Sequence, residues 1–407
     1  MNILQLCPRF PYPPTDGGRI SIYNTTKGLA LRGHTIDMIT FVEPDTDEHA
    51  LRALGEYCNV RAIHDNTKTN KKNFLRSVLR NEPVYITRHR SVKFYAALTE
   101  HLQNRRYNIV YGDHSAMLPY VIEGKRMRGL PGAIRMHNIE SMIWKRYAEE
   151  ERNPVKRRIA GRQASMLEQY EAHGAEVVDM NFTITDIDAV RLQSIAPRAR
   201  ITTVKPGVDM DYWIPRPRQP REATGMLATT FAWIHNVNGA LWFMREALPL
   251  IIERIPAFTL HLLGANPPEV LARVGGEHIK LRGFVPDIRV EAARTGVYIV
   301  PLFVGSGIRI KILEAMAMGL PVVTTSVGCE GIGGIHGIHY LIADTAVEFA
   351  ACVTKILSEP EYAERIGLAA RGFIEENYRW ERTISLLESA MMHIAAIPTV
   401  PEQVSGK

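Results

Sequence analysis

Two successive rounds of short apolar runs alternating with amphipathic stretches predict an α/β protein built from two doubly wound parallel-sheet domains. Three observations carry that expectation: the alternation itself, a break near residues 205–222 where proline and charge concentrate without periodicity, and a length of 407 residues, enough for two or three domains.

The elements follow in order. "MNILQLC" reads as a first strand, and its lack of a preceding basic run argues against a signal peptide. A Pro/Gly loop, "PRFPYPPTDGGR", leads into the helix "SIYNTTKGLALRG", closed by Gly33, and then the strand "TIDMITF". "YNIVYG", "GAIRMH", "NFTIT" and "ITTVKP" continue the first sheet. After the break, "GMLATTFAW", "FTLHLLG", "IKLRGFV", "GVYIVPLF" and "LPVVTTSV" read as a second sheet, with a helix over "NGALWFMREALPLIIERIP". Three helices, roughly 346–357, 360–372 and 378–396, close the chain.

Composition narrows the class. The four cysteines are scattered, so neither a zinc site nor a disulfide framework is indicated, and no apolar segment is long enough to span a bilayer. A reducing, cytoplasmic setting is the default expectation. Charge is uneven: residues 1–205 hold 31 Lys and Arg against 22 Asp and Glu, leaving 18 against 21 for the remainder. The excess lies in 68–93 and 152–162, which read either as solvated surface or as contact with an anionic partner such as a membrane surface. Nucleic acid ranks last, because the basic runs lack interleaved aromatics and no binding motif occurs.

Ligands of open parallel sheets bind beyond the carboxyl ends of strands. That rule selects loops at 8–19, 113–115, 137–141, 185–188, 233–239, 264–267, 284–287 and 303–309. In "PLFVGSGIRIKILEAMAMGLPVV" (301–323), a helix beginning near Gly307 puts positions 307, 311 and 314 on one stripe of an otherwise apolar surface. The loop Gly305-Ser306-Gly307-Ile308 aims backbone N–H groups outward at the helix N-terminus, which suits a phosphate. Arg309 and Lys311 oppose the helix dipole there, which a bound anion would explain, and Glu314 stands one turn deeper, able to accept from hydroxyls. The competing reading is a plain ion pair between Lys311 and Glu314. In the first loop, Asp16-Gly17-Gly18 permits either a tight turn or close approach to an anionic or polyhydroxyl ligand. His137 ends a strand and is read either as a structural hydrogen-bonding group or as a functional one, with His114 a weaker candidate.

"GSGIRIKILEAMAMGLPVVTTSVGCEGI" resembles the nucleotide-sugar-binding helix of glycosyltransferase family 4, the retaining GT-B enzymes. "PPTDGGR…LALRGHTIDMIT", "ITTVKPGVDMDYW", "HYLIADTAVEFA" and "AARGFIEENYRWERT" resemble other segments of that family. The resemblance implies a GT-B architecture of two Rossmann-like domains facing a central cleft: 1–205 binding acceptor, 206–377 binding nucleotide sugar, and a helix in 378–407 returning towards the first domain. It implies transfer of a sugar from a nucleoside diphosphate sugar, with retention and without metal or cofactor. By position, Glu314 would hold the ribose, and Arg309 and Lys311 the diphosphate. Gly305, Ser306, Gly307, Ile308, Gly264 and Asn236 would line the donor. Asp16, Gly17 and Gly18 would border diphosphate and acceptor, and His137 would sit near the transferred sugar.

The departures are specific. Ser306 stands where the family often has a first glutamate. Lys205-Pro206-Gly207 lacks the crossover asparagine, and Asn236 lies in a loop without the usual lysine. A subgroup found with exopolysaccharide assembly clusters shares these features. The implied acceptor is a lipid-linked or polysaccharide precursor. The short "NFLRSVLRN", with Phe74, Leu75, Val78 and Leu79 on one side, reads either as a segment in peripheral contact with an anionic membrane, pressing into its interface, or as an ordinary surface helix packed on its own domain. A sugar-nucleotide epimerase and a non-catalytic sugar-nucleotide binder are the alternatives; against the first, the sequence offers no set of carboxylates beside His137.

Overall fold

The computed structural model describes residues 1–44, 46–215, 223–305 and 307–397. It contains two parallel sheets, each within its own compact unit: residues 1–206 with the returning segment from Trp380, and residues 207–379.

The first sheet has seven strands: β1 (Asn2–Cys7), β2 (Thr35–Val42), β3 (Asn59–His64), β4 (Ile109–Asp113), β5 (Gly132–Met136), β6 (Met180–Thr183) and β7 (Ile201–Thr203). Their order is β3-β2-β1-β4-β5-β6-β7. The second has six: β8 (Thr224–Ala228), β9 (Thr259–Leu263), β10 (Ile279–Gly283), β11 (Val297–Val300), β12 (Val322–Thr324) and β13 (Leu341–Ile342), ordered β10-β9-β8-β11-β12-β13. Both orders reverse direction once, between β1 and β4 and between β8 and β11. Those reversals are the switch points at which strand-end loops splay and leave room for a ligand.

The central strands are buried along nearly their whole length because helices cover both faces of each sheet. On one side of the first sheet Leu4, Phe94, Val121 and Ile134 form a core; on the other, Ile3, Ile22, Tyr111 and Phe182 do. The second unit is filled around Phe243, Phe258, Ile299 and Phe349. Helix ends carry their expected signals. Asp16 caps the helix Gly17–Leu31 by accepting from the Gly18 and Arg19 amides, and Thr345 with Glu348 makes a reciprocal capping box.

The last helix, Trp380–Ala395, lies on the first. Ile384 packs so closely on Gly28 that a Cβ there would sit 2.6 Å from its Cγ1, and Arg32 and His34 both reach Glu388, at 2.6 and 2.7 Å. Edge strand β3 was not foreseen, since its exposed Arg61 and intermediate neighbours lack a buried strand's signature. The helix of the 301–323 stretch runs Ile310–Ala317 with Arg309 as its N-cap, one turn later than its expected start near Gly307. Gly307, at φ 75°, lies in the left-handed region and cannot open a helix. Among the described residues no helix is long and apolar enough to cross a membrane.

Candidate functional site

At the β8/β11 switch point, the chain leaving β8 supplies Thr229 and Thr230, and the helix after β11 supplies Lys311 and Glu314. Lys311 Nζ donates to Thr229 Oγ1 at 2.9 Å and to Asn236 Oδ1 at 3.4 Å. Asn236 is itself oriented by its Nδ2 donating to Thr230 O at 2.9 Å. Lys311 is thus held by neutral oxygens. The expected Lys311–Glu314 ion pair does not form, and Glu314 has no ion pair or side-chain hydrogen bond among the described residues. The lysine is drawn towards β8 by two acceptors, whereas the carboxylate lies one turn along, near enough to Tyr298 to add to burial in raising its phenol.

Burial without compensation moves both groups towards neutrality. Lys311 falls to about 7, chiefly through burial and then through the neighbouring Arg309. Glu314 rises to about 8 through burial alone. Both residues are half-buried. His235, one residue before Asn236, is pushed to about 4 by burial, Arg309 and Lys311, and its ring stacks on exposed Trp233. Three cation-capable groups, His235, Arg309 and Lys311, therefore converge at the head of one helix.

Glycines fix the close approaches. Gly264, at φ 152°, ends β9 against the loop after β8, where a Cβ would come within 2.1 Å of Thr229 O and 2.7 Å of Phe231. Its place is dictated by packing beneath the loop that carries Thr229. Gly305, at φ 149°, lies under the Arg309 guanidinium, which would be 2.4 Å from a Cβ, and Arg309 Nη1 donates to Gly307 O at 2.8 Å. Ser306 lies outside the described residues. Ile308 is buried beside this turn.

In the first unit, the β1/β4 switch point gathers a different chemistry. Asp113 at the end of β4 is fully buried. It accepts from Gln5 Nε2 at 2.9 Å and from Tyr111 at 3.3 Å, and it faces His137 Nε2 at 3.2 Å. Thr26 from the first helix holds Gln5 in turn, at 3.0 Å. Arg135, buried on β5 in register with Asp113, donates to Thr25 at 2.6 Å. His137 is pushed well below its ordinary range by burial, then by Arg135 and Arg9, so it is a neutral imidazole near pH 7. Burial raises Asp113, while Arg135 and the donated hydrogen bonds oppose that rise. His114 stacks on His137 at 4.0 Å with φ 65°, strained for a non-glycine residue.

The loop after β1 closes over itself. Arg9 forms a two-point pair with Asp16, at 2.6 and 3.2 Å, and its guanidinium lies 2.1 Å from where a Gly18 Cβ would be. Gly18 thus admits the protein's own arginine. Gly17 opens the helix behind it.

Spacing in the chain did not reveal Arg9, Thr229, His235 or Asp113. Asp113 was the carboxylate missing beside His137: it lies 24 residues earlier and becomes its neighbour only because β4 and β5 pair. A signal existed in "YGDHS", a strand-end acid before a histidine, but no periodicity ranks it. Among the described residues no cluster of His, Cys, Asp and Glu is suited to a metal ion.

Residues 15–212 match the family model for Glycosyltransferase Family 4, and residues 226–359 match that for Glycosyl transferases group 1. A 44.6 kDa Klebsiella pneumoniae protein of a cps region is 22% identical over 92% of this chain and 96% of its own length. The Escherichia coli K12 protein WcaL, which carries the name of a colanic acid biosynthesis glycosyltransferase, is 33% identical over 36% of this chain and 39% of its own. The Anabaena protein Alr3699/HepE, solved with UDP-glucose, superposes with a TM-score of 0.65 at 13% identity, covering 97% of this chain and 100% of that one. Two parallel sheets with matching switch points, and family matches on both sides of the break, make this chain a family 4 glycosyltransferase of GT-B architecture.

Proposed function

We propose that the protein transfers a hexosyl group from a nucleoside diphosphate sugar, with retention and without a metal ion, to a lipid-linked or polysaccharide-precursor acceptor of the cell envelope. The observation that carries the donor reading is Lys311 and Glu314 on one stripe at the β8/β11 switch point, each half-buried and neither paired with the other. A diphosphate would bring an anion to Lys311, Arg309 and the helix N-terminus. Ribose hydroxyls would supply the donors that Glu314 lacks. Gly305, Gly307, Ile308, Gly264 and Asn236 then shape the donor bed: Gly264 by letting β9 approach, Asn236 by orienting Lys311.

In the reaction, the bond from the anomeric carbon to the diphosphate oxygen breaks and its electron pair leaves with the diphosphate. The acceptor hydroxyl oxygen forms the new bond, and its proton leaves with the diphosphate. Fixed cations stabilise the charge that develops on the leaving group. Neutral His137, oriented by Asp113, is suited to hydrogen-bond the transferred sugar, and the Asp16-Gly17-Gly18 loop to border diphosphate and acceptor. The acceptor class is supported by the cps-region and colanic acid names of two relatives, and the donor class by the UDP-glucose bound to a structural neighbour.

The test is a thermal-shift series across nucleoside diphosphate sugars in EDTA, followed by radiolabelled transfer into a membrane extract. A donor should raise Tm by linkage and label a lipid fraction. If no nucleotide sugar shifts Tm, the donor reading fails. Asp113 beside His137 gives the epimerase reading the carboxylate it needed; release of an epimerised nucleotide sugar without acceptor would favour it.

A further inference from the structure

The helix Lys71–Arg80 is built inside out. Asn70 caps it, and its two buried residues are polar, Asn73 and Ser77. Both are satisfied inside: Asn73 Nδ2 donates to Lys68 O at 2.9 Å and Ser77 Oγ to Glu82 O at 2.6 Å. Its apolar residues face solvent, with Phe74 40%, Leu75 60%, Val78 52% and Leu79 76% exposed. A helix serving only its own domain turns its apolar stripe inward. Here the pairs 74/78 and 75/79 stand one turn apart as adjacent rows, making a continuous strip. A shallow groove of about 510 Å³ runs along it, lined by Thr69, Asn70, Lys71, Phe74, Leu75 and Val78.

Cations frame the strip. Lys71, Lys72, Arg76 and Arg80 are exposed and make no ion pair among the described residues. The second basic run, distant in sequence, folds beside them at the start of the helix Pro154–Val177. Arg162 donates to Asn81 at 3.4 Å and Gln163 accepts from Val84 N at 2.9 Å. That helix brings exposed Lys156, Arg157 and Arg158 together with exposed Val155 and Ile159.

We propose that this face docks the protein on an anionic lipid bilayer, the strip entering the interfacial layer and the cations meeting headgroup phosphates. Charge complementarity selects this occupant: an apolar strip alone would suit a second copy equally, but two copies would bring like-charged borders together. The inference is independent of the donor site and names the surface at which a lipid-linked acceptor would be met.

The full chain is mixed with vesicles of phosphatidylcholine alone and with phosphatidylglycerol added, and binding is read by flotation. Binding should require the anionic lipid and weaken with salt. Leu75→Glu with Leu79→Glu should abolish it, both positions being solvent-exposed, while melting temperature and donor-induced thermal shift stay unchanged. Replacing Lys71, Lys72, Arg76 and Arg80 by Gln should weaken it at least about tenfold. Failure to float with anionic vesicles overturns the proposal, as does equal binding to neutral ones. Self-association that the Leu75/Leu79 pair abolishes, without vesicle binding, assigns the face to a second copy and also overturns it. None of these outcomes touches the donor reading.

Discussion

The two switch points share a topology and differ in how their charges are met. At β1/β4, Asp113 has Gln5, Tyr111 and His137 around it, and Arg9 is matched by Asp16. At β8/β11, Lys311 and Glu314 share one helix face without pairing, and both shift towards neutrality. Leaving polar groups uncompensated costs stability, so a fold tolerates it chiefly where a ligand completes the set. The first site is a preformed frame; the second is an incomplete circuit, which the nucleoside diphosphate proposed above would complete.

Breaking each site should therefore damage different properties. Asp113→Ala should cause the largest loss, about 3–5 kcal/mol of stability, because it strands a buried network. A chemical-denaturation midpoint measures it; an unchanged midpoint would mean the network is not structural. Lys311→Ala should leave the fold intact and cost about 2–4 kcal/mol in the chemical step, as for one deleted preorganised donor. Single-turnover kinetics reads that loss, and a folded, fully active variant would remove Lys311 from the mechanism.

Glu314→Gln sharpens the contrast through pH. The folded pKa of Glu314, about 8, lies above the ordinary 4.5. Its protonated form therefore favours the fold, and that contribution is lost as pH rises from about 4.5 to 8. Glutamine cannot ionise, so the melting temperature of the variant relative to wild type should climb between pH 5 and pH 8.5 while donor affinity falls. Parallel pH curves for the two proteins would contradict the assignment. The smallest effect is expected for Gly18→Ala: its Cβ displaces only the flexible end of Arg9, so stability should hardly move. A changed KM with unchanged Tm would show that the Arg9–Asp16 clasp matters to binding.

Much was legible in the chain because it is local. Apolar runs bounded by Gly and Pro marked the central strands, and the spacing of 311 and 314 placed both side chains on one helix face before any contact was known. The same spacing could not decide between a salt bridge and two unpaired groups, since that turns on Thr229 and Asn236, some 80 residues away. Nor could it place Asp113 beside His137, which depends on β4 lying next to β5, or show Arg9 filling the space over Gly18. The amphipathic pattern of residues 71–80 was visible as a pattern; which side faces water was not. Side-chain periodicity fixes faces relative to one another through helix and strand geometry, and that belongs to the sequence alone. Which face is covered, which strands are neighbours and which charges meet depend on contacts between distant segments, and those exist only once the sheets have assembled.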